Sequence, residues 1–454
     1  MIDTGKEVGQ YASWPTGKRI AALKRILPRA KVEEVLAAGH GNSRFCRRLP
    51  RWFVVWFVVS LGLFCRDSYQ QVFRWLERYG PKQTPGRSTL CEARKRLGPA
   101  PLRRLAQAVI RLLGTPGTPG AFYQDMRLMA LDGFIVDVPD TPTNEHAFGR
   151  PGSGRSPGAF PQVRVLSLCE VGSHVLWRSL LKPCHRGEIS MTPYLLRFLM
   201  ANMLLLWDRN FLSYDLVRLV IGRRAQLLAR IKKNLVFQPI QAFSDGSYLA
   251  KLYPTAKARR HDTDGIVVRI IDYTFDDANR PGSGEKHRLL TTLLDKSLHP
   301  AQRLIELYHE RWEEEMTIDE LKTHQRERPV LRSQTPAGVV QEIYGLLLGH
   351  YAIRTLMWQA AAGRGLDPDR LSFTDALKIL RCRLPECPWS RCGLRLWHRA
   401  LLAEISEAIN PPRRNRINPR VIKKKMSGWA KKRPQHRHYH QPLKNFRESI
   451  VMLN

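Results

Sequence analysis

Acidic residues are scarce in this chain: 40 Asp and Glu stand against 74 Lys and Arg in 454 residues, a formal charge of +34 with a pI near 10.4. Such an excess of one sign repels itself unless a polyanion neutralises it, which makes nucleic acid the expected partner and a membrane surface the runner-up. Long hydrophobic runs are missing too. The longest uncharged apolar stretch, Trp52 to Cys65, covers 14 residues between Arg51 and Arg66, whereas a spanning helix needs about 20. It reads as a buried core helix, and no membrane role is expected. The opening MIDTGKEVGQ is polar, with no apolar stretch before Trp52, so no export signal is read and the protein is expected to stay inside the cell. The eight cysteines include no C-x-x-C pair, which argues against a disulfide framework. Cys382, Cys387 and Cys392 are spaced too widely for the usual zinc motifs. From Ala408 to Arg447 there is no acid at all, while thirteen Lys or Arg occur. No repeat of 20 to 50 residues is evident. The apolar content of 43% excludes a disordered polycation.

What is present changes character along the chain. Residues 1–115 read as a small helical N-terminal domain. The apolar helix continues through DSYQQVFRWLERYG, and two basic amphipathic segments follow, separated by Gly98 and Pro99. Arg94, Lys95, Arg96, Arg103 and Arg104 are available there for phosphate contacts, or form a solvated basic face. After the linker GTPGTPGAF, MRLMALDGFIVDVPD predicts a strand, VRVLSLCEV and HVLWRSLLK two antiparallel ones, and NMLLLW and AQLLARI short buried strands among helices. This is a mixed α/β domain with a covered sheet, assigned to residues 120–232 and 301–362. Residues 233–300 carry short strand-like runs between turn signals, a β-rich insertion. Residues 363–454 form a basic C-terminal region, predicted helical, with Lys423, Lys424 and Lys425 at its most charged point. These cations read either as a phosphate clamp or as solvated charge.

Three carboxylates draw notice. Period-2 alternation aligns Asp132 with Leu128, Ala130, Phe134 and Val136, where an acid is costly unless paired or metal-bound. An edge strand with Asp132 in solvent is the alternative. Asp208 follows the apolar run LLLW, at the expected carboxyl end of a buried strand, where it is either functional or a strand cap. Helical spacing over residues 301–324 puts Tyr308, Arg311, Glu315 and Lys322 within roughly 60° of one another at 100° per residue. That stripe suits a phosphate-handling site, with Glu315 as metal ligand, and equally a salt-bridged solvent face. Carboxylates from a strand, a later strand end and a helix would suit two hard divalent cations.

The spacing Tyr308, two residues, Arg311, three residues, Glu315, six residues, Lys322 resembles the Y-(2)-R-(3)-E-(6)-K motif of DDE transposases in the insertion-sequence-4 family. LDGF around Asp132 and WDRNF around Asp208 look like the first and second aspartate motifs of that family, in the expected order. RRLPRWFVVWFVVSLGLFCRDSYQQV, EARKRLGPAPLRRL and NPRVIKKKMSGW resemble its two ends, so the likeness runs from about Arg47 to Lys432.

The resemblance implies an RNase H-like catalytic core interrupted by the β-rich insertion. Asp132, Asp208 and Glu315 would bind Mg²⁺ or Mn²⁺, as two ions, and Tyr308, Arg311 and Lys322 would contact phosphates of double-stranded DNA. It further implies excision at terminal inverted repeats, strand transfer to target DNA, a homodimer in the DNA complex, and a place in the bacterial cytoplasm at the nucleoid. Some members pass through a hairpin on the transposon end, with a Trp in the insertion holding a flipped base. Here no Trp lies between Trp207 and Trp312, and Tyr248, Tyr253, Tyr273 or Phe275 would have to substitute. Two readings compete with an active transposase. One is a descendant that binds DNA without cutting it, and the other is a stand-alone metal nuclease. The three acids opposing DNA phosphates favour the transposase.

Overall fold

The computed structural model describes residues 21–38, 49–76, 84–153, 156–232, 235–280, 282–388, 390–411, 423–424, 428–429 and 442–453. The longer elements run α1 (Arg51–Leu63), α2 (Tyr69–Leu76), α3 (Arg87–Leu97), α4 (Ala100–Val109), β1 (Met126–Asp137), β2 (Gln162–Glu170), β3 (Val175–Pro183) and α5 (Glu188–Leu196). There follow β4 (Met203–Trp207), α6 (Tyr214–Gly222), β5 (Gln226–Arg230), β6 (Ser247–Leu252), β7 (Ile266–Phe275), β8 (His287–Thr291), α7 (Ala301–His309) and α8 (Trp312–Asp319). The last are α9 (Pro336–Ala362), α10 (Phe373–Arg383), α11 (Arg391–Glu407) and β9 (Ile450–Met452). The chain divides into two units. The first comprises Met1–Phe122, Leu131–Leu195 and Glu313–Ile409, the second Tyr123–Ala130, Leu196–Trp312 and Asn410–Asn454.

The first unit is organised around two apolar helices. In α1, Phe53 to Leu63 are all buried, as a helix apolar on every side must be inside a core. Each large side chain so buried stabilises the fold by roughly 1.5–3 kcal/mol. The helix stops at Leu63 and α2 begins only at Tyr69, so the single long helix expected there is two. Helix α9 is entered through Thr335, whose hydroxyl accepts from the Gly338 amide at 3.3 Å, with Pro336 in the first turn. Glycines let α1 and α9 touch backbone to backbone: a Cβ at Gly62 would overlap the Gly345 carbonyl, and one at Gly345 would come within 2.7 Å of the Val58 carbonyl. Gln325 rivets the contact, its amide nitrogen donating to the Gly62 and Leu346 carbonyls at 2.9 Å each. The strands of this unit lie in the order β3-β2-β1, with β2 and β3 an antiparallel hairpin from Val163↔Pro183 to Glu170↔Val175. Its turn ends at His174, which takes a left-handed φ of 56°.

The second unit takes the first residues of β1 and continues β1-β4-β5-β8-β7-β6, with Gln241–Ala242 beside β6. β4 and β5 are parallel, and β5-β8, β8-β7 and β7-β6 antiparallel. All five residues of β4 are buried, as its unbroken apolar run predicts for a covered parallel strand. The three-residue strand β9 pairs with the end of β7, Phe275↔Ile450 to Tyr273↔Met452. Phe446 sits beside it, packed 3.8 Å from the His309 ring and 5.6 Å from Phe275. Burial, reinforced by the nearby positive charges of Arg280, His287, Arg311 and Arg230, pulls His309 from its ordinary 6.5 down to about 3. Between those values the unfolded chain takes up a proton that the folded unit refuses, so stability falls as pH drops below about 6.5, by roughly 1.4 kcal/mol per unit. The urea midpoint of the wild type should therefore fall further from pH 7 to pH 5 than that of His309→Phe, in which nothing titrates at this position.

The architecture is the mixed α/β one expected. Among the described residues no helix is long and apolar enough to cross a membrane. The C-terminal region is helical through α11, but Lys423–Lys424 pair with Gly428–Trp429 in a short antiparallel ladder where helix was predicted. Lys425 and the alternating His436, His438 and His440 lie outside the described residues.

Candidate active site

Of the residues singled out in the sequence, Asp208, Tyr308 and Arg311 fall in the second unit. Asp208 follows β4 directly and is half-buried. Its Oδ1 accepts from the Arg209 amide at 2.7 Å and its Oδ2 from the Asn210 amide nitrogen at 3.4 Å. Tyr308, in the last turn of α7, is buried, and its hydroxyl donates to the Trp207 carbonyl at 3.2 Å, one residue before Asp208. Burial pushes the phenol up to about 12, and the Asp208 carboxylate adds to this against the opposing pull of Arg311. Tyr308 is thus a neutral donor holding the strand end that carries Asp208. Arg311 stands 5.9 Å from the Tyr308 ring and 5.7 Å from that of Trp312.

Asp132, Glu315 and Lys322 belong to the first unit. Asp132 is half-buried in β1 on the face it shares with buried Phe134 and Val136, and its Oδ1 accepts from the Gly133 amide at 2.7 Å. A Cβ at Gly133 would meet the Glu188 carboxylate at 2.6 Å, so a larger residue there would displace that acid. Glu188, at the start of α5, is paired with Arg164 at 2.6 Å. This acid beside the Asp132 strand escaped the sequence reading, its one trace being the glycine of LDGF. Glu315 is half-buried on α8 and Lys322 half-buried in the turn that follows.

The uninterrupted helix expected over residues 301–324 is broken twice. α7 closes at His309, with Glu310 and Arg311 making a tight turn through amide bonds to the Leu307 and Tyr308 carbonyls at 3.0 and 3.2 Å. Beyond α8, Glu320–Gln325 form a π-helical turn, a rare feature that recurs at functional sites.

Below the π turn lies a buried ionic cluster that the sequence reading missed. Glu320 accepts from Arg354 Nε on α9 at 2.8 Å and also binds Arg354 Nη2. It stands 3.2 Å from His174 Nδ1 and 3.2 Å from His350 Nε2. On the other side of the imidazole, His174 Nε2 lies 3.1 Å from Glu313 Oε2 and 3.0 Å from Asp369 Oδ1. Although burial favours its neutral form, Glu320 is held well below the usual carboxylate range by Arg354 and His174. Burial and Arg354 oppose a charge on His174, but Asp369, Glu320 and Glu313 carry it up to about 9. Burial raises Asp369 to about 7, against the pull of His174.

In the N-terminal part, Arg94 is an internal clamp. It is buried on α3, its guanidinium donating to Gln341 at 3.2 Å, to Ser333 and the Gly338 carbonyl at 3.1 Å each, and to Tyr69. Arg96 and Arg103 are exposed. Among residues 233–300, Tyr273 and Phe275 are buried among His287 and Phe446, which removes them as platforms for a flipped base. Tyr248 accepts from Arg288 and Tyr253 donates to Asp262.

In a chain this basic, carboxylates on a strand, after a buried strand and on a helix are the donor types a phosphoryl-transfer enzyme acting on DNA uses. The transposase DDE domain model matches residues 123–351 and the N-terminal model of insertion element 4 transposases residues 18–107. The chain belongs to the DDE transposases of the insertion-sequence-4 family. It is 28% identical over 389 residues to transposase InsG for insertion sequence element IS4 of Escherichia coli K12, covering 84% of this chain and 86% of that protein. It is 27% identical over 176 residues to InsZ of the same organism, covering 38% of this chain and 57% of InsZ. A structure of the piggyBac transposase synaptic complex with hairpin DNA aligns over 88% of this chain and 86% of its own, at 11% identity and a TM-score of 0.43. As a DDE transposase the protein cleaves DNA and transfers strands in dependence on a divalent metal.

Proposed function

We propose that Asp132, Asp208 and Glu315 are the metal-binding acids of this transposase, and that it excises an insertion element at its terminal inverted repeats and joins the ends to new DNA. The observation that carries this reading is the order of three half-buried carboxylates on β1, after β4 and on α8, all within the matched DDE domain. The donor set fits the group: carboxylate oxygens suit Mg²⁺ or Mn²⁺. When bound, as two ions, the metal supplies a nucleophile at neutral pH and stabilises the leaving oxygen.

The chain's own residues do the rest. Arg311 and Lys322 receive the phosphates flanking the cut, and Tyr308 fixes the Asp208 strand end through the Trp207 carbonyl. Exposed Arg96 and Arg103 with Lys423, Lys424 and Lys425 hold the DNA backbone. The strands flanking β1 in each unit support an RNase H-like core with residues 233–300 as its insertion. The working form is a homodimer on two transposon ends.

The test is incubation of the protein with DNA carrying its gene's native flanks. Mg²⁺ should give cuts at discrete flanking positions and, with added target, joined 3′ ends, all abolished by EDTA and restored by Mg²⁺ or Mn²⁺. Tight binding with no cleavage under either metal would move the protein to the non-cutting DNA binders, and sequence-indifferent cutting to the nucleases.

A further inference from the structure

We propose that His174, Glu313 and Asp369 form a second cation site, distinct from the three acids assigned to DNA cleavage, which holds a divalent transition metal such as Zn²⁺ or Mn²⁺ in the first unit. One ligand atom from each lies within 4.8 Å of the others. Nε2 of His174 is 3.1 Å from Glu313 and 3.0 Å from Asp369. Metal–ligand bonds of about 2.0–2.2 Å place neighbouring ligand atoms about 3.0–3.5 Å apart, a spacing the two His174 edges match.

A second observation concerns Asp369 alone. It is 8% exposed, and neither of its oxygens finds a hydrogen-bond donor among the described residues. Nε2 is aligned on Glu313, so Asp369, 3.0 Å from the same nitrogen, meets the charged ring without a hydrogen bond of its own. A buried carboxylate in that condition is costly unless a cation reaches it. The other face of the ring supplies the support a metal-bound histidine needs. Nδ1 faces Glu320 at 3.2 Å, and Glu320 is anchored by Arg354, which also lies against Nδ1. A metal ion would displace the Nε2 proton while the Nδ1 proton stays directed at Glu320, leaving the Nε2 lone pair toward Glu313 and Asp369 as in carboxylate–histidine–metal relays. The imidazole nitrogen favours Zn²⁺ or Mn²⁺ over Mg²⁺. Glu313 lies on α8 with Glu315, and Asp369 in the short turn Pro368–Arg370, so the cation would tie the helix bearing Glu315 to that turn.

The experiment uses the full-length protein, purified without chelator and dialysed against Mg²⁺, with metal content measured by mass spectrometry and Co²⁺ then titrated by its visible absorption. About one tightly held transition metal per chain is expected, together with one Co²⁺ site that survives in Asp132→Asn. In Asp369→Asn and in His174→Gln, Co²⁺ should bind at least tenfold more weakly, and added Zn²⁺ should no longer raise the melting temperature as it does in the wild type. Asp369→Asn keeps the shape of the side chain, which separates loss of the ligand from loss of the fold. No metal above background and no saturable Co²⁺ absorption would overturn the proposal. So would a Co²⁺ site lost in Asp132→Asn and kept in Asp369→Asn, an outcome that would leave the cleavage assignment standing.

Discussion

Replacing Glu315 with Gln, or Asp132 or Asp208 with Asn, should lower DNA cleavage by at least ~10³-fold at unchanged DNA occupancy, because groups that act as a unit lose most of their effect when any one is removed. Each change keeps side-chain volume and removes only the charge, so packing around β1, β4 and α8 is preserved. Non-additivity is the more telling result. Asp132→Asn combined with Glu315→Gln should cleave about as slowly as either alone, whereas independent contributions would multiply. Cleavage within tenfold of wild type by any single variant, under Mg²⁺ and Mn²⁺ alike, would remove that residue from the site.

The second large effect concerns stability. Arg354→Met should destabilise the first unit by about 3–5 kcal/mol, since it leaves the buried Glu320 carboxylate without the guanidinium that now holds both its oxygens. The urea midpoint should drop accordingly. Adding Glu320→Gln to Arg354→Met should restore much of the loss, because the penalty lies in the uncompensated charge and not in the absence of the pair. A double variant no more stable than Arg354→Met would show that shape and not charge is what Arg354 contributes.

Local pattern made much of this molecule legible. The all-apolar α1, the strand at β1 and the apolar run of β4 each read correctly, since each is set by residues close in sequence. Asp132, Asp208 and Glu315 are proposed on the same footing, from motifs a few residues long. What escaped was long-range. His174 meets Glu320 across 146 positions and Arg354 across 180, so no periodicity could announce the cluster. Arg94 looked like a surface cation because its neighbours are cations, yet its partners come from α9 and the segment before it, some 240 positions on. The break between α7 and α8 was hidden because ERWEEE has ordinary helical propensity, which tertiary packing overrides.

The interleaving of the two units bears on how the chain is made. Each unit is assembled from three separated stretches, and the second gains strand β9 on β7 only after all of the first has been synthesised. Pairings this distant close large loops before any contact rewards them, which slows folding and leaves strand edges exposed meanwhile. On the ribosome, β7 must wait with its Tyr273–Phe275 edge open while α9, α10 and α11 are translated. Maturation of this transposase is therefore expected to be a late, post-translational event, sensitive to temperature and to chaperone supply.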